Sequence, residues 1–297
     1  MANVLVFEAS QTMDKVNACR YALLKYLEAY NLKPPPHIAI YVYTDQPALF
    51  ESFIPFFQQF AIKEISKTQI KEWRGEMNFA PRVKMEIIAE VFKHVEGNLI
   101  FLDSYTYIKE PWEKLFGKIE DGSFLMHSFI GHLNNDSNAK LNTLYKFLSS
   151  GSIKQNGNDL SPADAKVWSA NVIGLNSQSQ MIDDVLELTD VIYKQFPKII
   201  VEHFAFSYCF QKTGEVNTCD NFISHYGKLE EFKQLLNRFF KKNEEESIPN
   251  LVKLVRHLNA ATIQKEKAAY EAMPFYKKWL QVLTGKNWNI KQYQKKI

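Results

Sequence analysis

The sequence predicts an α/β protein built on a mostly parallel sheet flanked by helices, and three observations support this class. Short runs of β-branched and aromatic residues alternate with amphipathic helical patterns through most of the chain. Aspartates follow two of the strand patterns. The 297 residues are 46% hydrophobic, which is enough for a large buried core. Ligands of parallel sheets bind beyond the carboxyl ends of the strands, so we expect the chemistry there.

The first half of the chain alternates four strand patterns with three helical patterns. The last helical pattern is the clearest, because its apolar residues recur at helical spacing and share one face. The strand patterns are NVLVFEAS (3–10), IAIYVYTD (38–45), AIKEI (61–65) and NLIFLDS (98–104). The helical patterns are TMDKVNACRYALLKYLEAY (12–30), ALFESFIPFFQQF (48–60) and PRVKMEIIAEVFKH (81–94).

The second half predicts two more strands and then a helical region. SFLMHSFIG (123–131) and KVWSANVIGLN (166–176) read as strands, and the polar stretch between them contains a helix and a loop. SQMIDDVLELTDVIYKQF (179–196) and IIVEHFAFSYCFQKT (199–213) read as helices. After His225 the sequence changes to long helical patterns that are rich in charged residues. We therefore predict a sheet domain over 1–227 and a helical C-terminal extension over 228–297.

Charge and cysteine usage restrict the class of protein. The formal net charge of +3, from 36 basic and 33 acidic residues, does not favour a nucleic-acid binder. Cys19, Cys209 and Cys219 are odd in number and have no metal-ligand spacing, which favours a reducing compartment. The start of the chain has no signal-peptide pattern, and no apolar run is long enough for a membrane span. A cytoplasmic protein is expected.

The segment FLDSYTYI (101–108) is the first candidate site, because an apolar strand pattern ends there on Asp103. An Asp-any-Asp pattern at a strand end can hold a divalent cation beneath a diphosphate, but the third position here is Tyr105. The plain alternative is an aspartate that bonds a backbone N–H in a turn. Motifs of P-loop, dinucleotide-binding, zincin and α/β-hydrolase proteins do not occur in the sequence.

Residues 82–108, RVKMEIIAEVFKHVEGNLIFLDSYTYI, resemble the nucleotide-diphospho-sugar transferases of the GT-A fold, particularly glycosyltransferase family 8. Three later stretches follow in the order of that family: VWSANVIGLN, IIVEHFAFSYCF and FISHYGK. The resemblance covers about residues 3–228. It implies a Rossmann-like mixed sheet flanked by helices, and transfer of a sugar from a nucleotide-diphosphate sugar to an unknown acceptor with retention of configuration.

The resemblance also implies roles for individual residues near the donor. It places Asp45 at the base-binding loop, and Ser169 and Asn171 on the strand that faces the donor sugar, where the family has Asn and Gly. Glu202 would hold an acceptor hydroxyl or stabilise an oxocarbenium-like centre. His203, where the family has Gln, would donate a hydrogen bond to the sugar.

The metal motif departs from the family at Tyr105, because a phenol with a pKa near 10 is a poor ligand for Mn²⁺ or Mg²⁺. Asp103 and His225 could still share such a cation with the diphosphate, and the resemblance places His225 at a family metal ligand. A reaction without metal is the equal alternative. Arg82 and Lys84 would then neutralise the diphosphate.

The C-terminal segment 275–297 interleaves aromatic residues with six lysines and contains no acid. It predicts peripheral association with an anionic membrane, with a solvated tail as the alternative. Two functions other than sugar transfer also remain open. One is a nucleotide-sugar-binding protein that has lost transfer, and the other is a scaffold that works through the helical extension.

Overall fold

The computed structural model describes residues 2–135, 137–151, 153–155, 158–159, 162, 164–284, 288–290 and 293. The strands are β1 (Ala2–Ala9), β2 (Ile38–Thr44), β3 (Phe60–Glu64), β4 (Gly97–Leu102), β5 (Thr106–Ile108), β6 (Phe124–Met126), β7 (Phe129–His132), β8 (Lys154–Gln155), β9 (Asn158–Asp159), β10 (Lys166–Trp168), β11 (Val172–Asn176), β12 (Val216–Thr218) and β13 (Ile223–His225).

The helices fill the intervals between the strands and most of the C-terminal region. A 3₁₀ helix of ten residues covers Pro47–Phe56, and a single 3₁₀ turn covers Ser177–Ser179. The α-helices are α1 (Met13–Ala29), α2 (Lys67–Trp73), α3 (Arg82–Phe92), α4 (Lys114–Glu120), α5 (Ala139–Leu148), α6 (Met181–Gln195), α7 (Ile200–Thr213), α8 (Glu230–Lys242), α9 (Ile248–Val255), α10 (Ala260–Glu271) and α11 (Phe275–Leu283).

A central sheet of seven strands has the order β12-β6-β11-β4-β1-β2-β3. Strands β3, β2, β1 and β4 are parallel to one another, and β6 and β12 are parallel to each other. Strand β11 is antiparallel to both of its neighbours, β4 and β6. The α/β class and the mixed, mainly parallel sheet predicted from the sequence are confirmed.

The strand order changes direction between β1 and β4. From β1 the chain builds outward through β2 to β3, and then returns to place β4 on the other side of β1. Such a reversal opens a crevice beyond the carboxyl ends of the two strands, and ligands of open α/β sheets bind there. The fold therefore points to the residues that follow β1 and β4.

Both faces of the sheet are covered by helices. In β1, Leu5 and Phe7 belong to one buried cluster, whereas Val4 and Val6 belong to the cluster on the opposite face. Helix α1 packs into the first cluster and α3, α6 and α7 into the second. This double burial explains the continuous apolar character of the β1 and β4 sequences.

Several elements differ from the sequence prediction in detail. KVWSANVIGLN is two strands, β10 and β11, because 169–171 leave the ladder to cross between sheets. SFLMHSFIG is likewise divided into β6 and β7. The segment 47–56 is a 3₁₀ helix that contains Pro55, whose missing N–H disfavours an α-helix. Strand β5, which pairs with β13, was not predicted separately from FLDSYTYI.

The helices after residue 228 differ in how they pack. Residues of α8 and α9 lie in the same buried cluster as α1. Helix α11, in contrast, has no buried residue. No helix in the described ranges combines the length and hydropathy that a membrane crossing requires. Cys19, Cys209 and Cys219 are all buried thiols.

Candidate functional site

A cavity of about 270 Å³ lies in the crevice beyond β1 and β4. It is open on one side and has both polar and apolar walls. Its residues come from the ends of β1 and β4, from the starts of α1, α3 and α7, and from the segment before β11. They are Glu8, Lys15, Ala80, Pro81, Val83, Lys84, Phe101, Asp103, Ser104, Tyr105, Asn171, Ile199, Glu202 and His203.

Lys84 is the centre of a buried ion cluster in this cavity. Its Nζ lies 2.9 Å from Asp103 Oδ1. It also donates to Glu202 Oε1 at 2.5 Å and to the carbonyl oxygen of Ala170 at 2.6 Å. An ammonium group has three N–H donors, and these three acceptors use all of them. Lys84 therefore fixes the positions of two carboxylates and has no donor left for a diphosphate.

The ion cluster changes the pKa of its members in opposite senses. Burial alone would lower the pKa of Lys84, but the carboxylates of Asp103 and Glu202 outweigh it, so the pKa lies above the ordinary lysine value. Burial raises the pKa of Glu202 above that of an ordinary glutamate; the Lys84 ammonium opposes this rise and Asp103 adds to it. Glu202 therefore takes up a proton at a higher pH than an ordinary glutamate does.

A second ion pair lines the cavity at the end of β1. Lys15 Nζ lies 2.8 Å from Glu8 Oε2, and the Ser10 hydroxyl donates to the other Glu8 oxygen. The sequence prediction missed Glu8 and Lys15. The available signal was a carboxylate close to the C-terminal end of an otherwise apolar strand. Because the Lys15 side chain is 28% exposed, it is the more accessible ammonium group in the cavity.

The charged groups in the cavity do not balance. Three carboxylates, Glu8, Asp103 and Glu202, face two ammonium groups, Lys15 and Lys84, which leaves one excess negative charge when all are ionised. A diphosphate that entered this cavity would therefore benefit from an accompanying cation, because like charges in a partly buried site repel strongly.

His203 lines the cavity as a neutral imidazole. Burial, with a contribution from Lys84, lowers its pKa to about 4. The backbone N–H of Ala170 donates to His203 Nδ1 at 3.2 Å. Because Nδ1 accepts, the proton of the neutral ring is on Nε2, which makes that nitrogen a hydrogen-bond donor.

The buried His203 should make stability depend on pH in a defined window. Its folded pKa of about 4 lies below the ordinary value of 6.5, so the neutral ring is favoured in the folded state. This contribution is fully present above pH 6.5 and is lost as pH falls toward 4, by about 3 kcal/mol at most. His203→Gln should flatten the fall in unfolding free energy over that window, measured by urea denaturation. Exposed His257→Gln is the control, and equal slopes for the two variants would contradict the assignment.

Tyr105 lines the cavity with its ring, but its phenol is not an anionic ligand. Burial raises the pKa of Tyr105 to about 12, and nearby carboxylates add to this rise. Lys233 of α8 lies over the ring at 4.3 Å, and Tyr226 meets it edge to face. The side chain therefore joins the cavity to the C-terminal helices.

His225 lies on β13, which pairs with β5 directly after the Asp103 turn. Burial lowers its pKa to about 4, partly opposed by Asp103, so its imidazole is neutral at neutral pH. The ring rests on Gly227, where an added Cβ would come within 2.7 Å of two ring atoms. His225 is not among the residues that line the cavity.

These side chains do not form a resident metal site. Asp103 is tied to Lys84, Tyr105 is protonated, and His225 adds one nitrogen. Over the described residues, no group of three His, Cys, Asp or Glu side chains is arranged to hold a metal ion. A hard cation takes six or more ligands, so this donor set is insufficient without oxygens from a ligand.

The other predicted site residues are distributed unevenly. Asn171 lines the cavity, and its carbonyl accepts from the Asp103 N–H. Ser169 is buried in the link between β10 and β11, bonded to residues 127 and 128. Asp45 accepts from the backbone N–H of Gln11 beside the end of β1, outside the cavity lining.

Arg82 is not brought to the cavity. Its guanidinium group binds the carboxylates of Asp190 and Glu86 and the backbone carbonyl of Trp73.

Comparison with known proteins gives structural likenesses only. No protein-family model matches the chain, and no curated protein matches its sequence. Among solved structures, apo mouse xyloside xylosyltransferase 1 is similar at 11% identity, over 74% of this chain and 85% of that chain, with a TM-score of 0.46. The galactosyltransferase LgtC, in complex with donor and acceptor sugar analogs, is similar at 9% identity over 72% of each chain, with a TM-score of 0.46.

The glycosyltransferase GlyE of Streptococcus pneumoniae TIGR4 is also similar, at 10% identity and a TM-score of 0.42. That match covers 84% of this chain and 51% of GlyE. At these identities and scores, the likenesses leave the function to be argued from the cavity itself.

Proposed function

We propose that this chain is a glycosyltransferase of the GT-A type, which moves a sugar from a nucleotide-diphosphate sugar to an acceptor. The observation that carries the proposal is the buried cluster of Lys84, Asp103 and Glu202 in a cavity at the switch point of the sheet. Buried charges that do not serve packing concentrate at functional sites. The cavity holds several charged and hydrogen-bonding groups at fixed positions, which complement the hydroxyl groups of a sugar.

In the proposed reaction, the bond between the anomeric carbon and the diphosphate oxygen breaks, and its electron pair leaves with the diphosphate. Positive charge then develops on the sugar ring, and the ionised carboxylate of Glu202, held in place by Lys84, stabilises it. His203 donates from Nε2 to a sugar hydroxyl. The acceptor hydroxyl forms the new bond to the anomeric carbon, and its proton goes to the oxygen of the departing diphosphate.

The diphosphate is assigned to the more exposed part of the cavity, near Lys15, Asp103 and Asn171. Lys15 is the cation available to it, since Lys84 has used all of its donors. Asp45 and the loop after β1 are assigned to the base. A Mn²⁺ or Mg²⁺ ion, if one takes part, would be held by Asp103 and the diphosphate, with His225 as a further candidate, and would neutralise phosphate charge.

The weak metal motif leads to a prediction about Mn²⁺. Isothermal titration should detect little or no binding of Mn²⁺ to the protein alone, because Tyr105 is a protonated phenol. Tyr105→Asp should strengthen binding about tenfold or more, most strongly with a nucleoside diphosphate present. Asp103→Ala in the Tyr105→Asp background should abolish the gain. Tight Mn²⁺ binding by the original chain that survives Asp103→Ala would place the metal site elsewhere.

The proposed function is tested by ligand-dependent melting and by donor turnover. Nucleoside diphosphates and their sugar conjugates are screened with and without Mn²⁺, since a ligand that binds only the folded state raises the melting temperature. A shift with a sugar nucleotide, followed by release of the nucleoside diphosphate, is expected. A shift without turnover would instead support the nucleotide-sugar-binding alternative. No shift with any nucleotide would contradict both and leave the scaffold alternative.

Helix α11 supports a second proposal, peripheral association with an anionic membrane at the cytoplasmic face. Its apolar side chains follow helical spacing onto one face, yet all are exposed, from 52% at Leu280 to 83% at Phe275. Lys277 and Lys278 lie on the opposite, polar side. The remaining lysines of the segment, at 286, 291, 295 and 296, lie outside the described residues. An amphipathic basic helix of this kind suits a lipid interface.

Vesicle sedimentation tests the α11 proposal. The chain should bind vesicles that contain phosphatidylserine, and binding should weaken as salt rises, with about 1 kcal/mol contributed per lysine near the surface. Truncation after Met273, or Trp279→Ser with Leu283→Ser, should remove the binding. Pure phosphatidylcholine vesicles are the control. Binding that is indifferent to salt, or unchanged in the truncated chain, would reject the proposal.

A further inference from the structure

A groove of about 320 Å³ lies beside the cavity, between the starts of α5 and α7. Its walls are mainly apolar and include Ala139 and Phe196, together with Ile199 and Ile200. The Phe196 ring is held in place by stacking on Phe147, with ring centres 5.0 Å apart. Ile199 remains 55% exposed, although it is a large aliphatic side chain at the start of a helix. The volume lies at the lower end of the range for small-molecule sites.

Two lysines flank the apolar walls. Lys140, from the first turn of α5, and Lys198, just before α7, both line the groove and are exposed. Within the part of the chain that the structure describes, neither forms an ion pair with a carboxylate. The groove therefore presents an apolar floor beside uncompensated positive charge. An anionic amphiphile complements both features, whereas a neutral hydrocarbon complements only the first.

The groove adjoins the cavity at Ile199. Ile199 lines both spaces, and it lies three and four residues before Glu202 and His203, on the same side of the chain. The positive charge of Lys140 contributes to lowering the pKa of His203, so the two residues are also electrostatically coupled. A molecule seated in the groove would therefore lie next to the cavity.

We infer that the groove binds a single-chain amphiphile with an acidic headgroup, with the chain on Phe196 and Ile199 and the headgroup between Lys140 and Lys198. Binding of this class of ligand does not depend on the proposed reaction.

Isothermal titration of the full chain with octyl phosphate tests the inference, and two truncated probes separate chain from charge. Ethyl phosphate lacks the chain, and 1-octanol lacks the charge. Octyl phosphate should bind about tenfold or more tightly than either, since apolar burial and charge pairing both contribute. Equal binding of octyl phosphate and 1-octanol, or no binding of octyl phosphate at millimolar concentration, would overturn the inference.

Variants locate the binding on the protein. Lys140→Gln with Lys198→Gln should weaken octyl phosphate about tenfold and leave 1-octanol unchanged. Lys146→Gln with Lys194→Gln removes the same charge from exposed sites on α5 and α6 outside the groove, and should have no effect. Unchanged octyl phosphate affinity in the first pair of variants would overturn the inference, because the ligand would then bind elsewhere on the chain, such as on α11.

A groove-filling variant tests the apolar part and separates the two proposals. Thr143→Trp, on an exposed position of α5, should exclude octyl phosphate while retaining both lysines. Retained octyl phosphate binding in this variant would overturn the inference. The lysine variants should keep the melting shift with sugar nucleotides, because the donor cavity is intact. Amphiphile binding without any nucleotide shift would retain the groove and reject only the proposed function.

Discussion

Replacing Lys84 with alanine should lower the free energy of unfolding by about 3–5 kcal/mol, because it leaves Glu202 buried and Asp103 partly buried without a counter-charge. The Ala170 carbonyl also loses its partner, which adds to the loss. Urea denaturation at pH 7 measures the effect through the transition midpoint.

A matched substitution on the same helix separates this effect from the loss of any lysine. Lys93 caps the C-terminal end of α3, is 67% exposed and pairs with Glu90 at the surface, so Lys93→Ala should change stability far less than Lys84→Ala. The double variant Lys84→Met with Glu202→Met removes both buried charges and should recover much of the single variant's loss. If the double variant were as unstable as Lys84→Ala, the loss would come from packing rather than from unpaired charge.

Glu202→Gln should reduce donor turnover by about 100-fold or more while leaving the fold and donor binding largely intact. Glutamine keeps the shape of the side chain and an acceptor oxygen for Lys84, but removes the negative charge opposite the sugar. The reaction is followed by release of the nucleoside diphosphate, with the sugar nucleotide that gives the largest melting shift.

The control for Glu202→Gln is Glu86→Gln. Glu86 is also paired with a cation, Arg82, but outside the cavity, so turnover should be retained. In the original chain, turnover should fall with decreasing pH as Glu202 protonates, at a higher pH than for an ordinary glutamate. Turnover within a few-fold of the original in Glu202→Gln would remove this carboxylate from the proposed mechanism.

The sequence predicted which edge of the sheet carries the candidate cavity, because the ends of strands are visible in the sequence. Asp103 follows a continuous apolar run, and parallel strands bring their carboxyl ends to one edge. Glu202 and Asn171, which came with the family resemblance, do lie in the same cavity as Asp103 and Tyr105. The order of weak motifs was therefore informative about proximity, although no single motif specified a partner.

The sequence could not show which basic side chains already have carboxylate partners within the fold. Arg82 and Lys84 lie two positions apart on α3, and both were assigned to phosphate. They face different partners in space: Arg82 binds Asp190 of α6, and Lys84 binds the cluster in the cavity. Lys15 pairs with Glu8 across the turn from β1 into α1, a contact set by the angle between strand and helix. Tertiary packing decides such partners, and residue spacing along one helix does not.

The antiparallel direction of β11 explains how Ala170 and Asn171 come to lie near Asp103. A parallel strand contributes the residues after its end to the ligand edge, but an antiparallel strand contributes the residues before its start. Ala170 and Asn171 precede β11, and both meet the Asp103 region, one through Lys84 and the other through the Asp103 N–H. Only a mixed sheet places these residues there, and the strand direction was not available from the periodicity of KVWSANVIGLN.

The three buried thiols make the chain its own reporter of local opening. Burial raises the pKa of Cys19 and Cys219, and alkylating reagents require both access and thiolate. Cys19 in α1 and Cys219 after β12 belong to the buried cluster on one face of the sheet, whereas Cys209 in α7 belongs to the cluster on the opposite face. Rates of alkylation at the three positions therefore measure separately how often each region exposes its interior, without any introduced label.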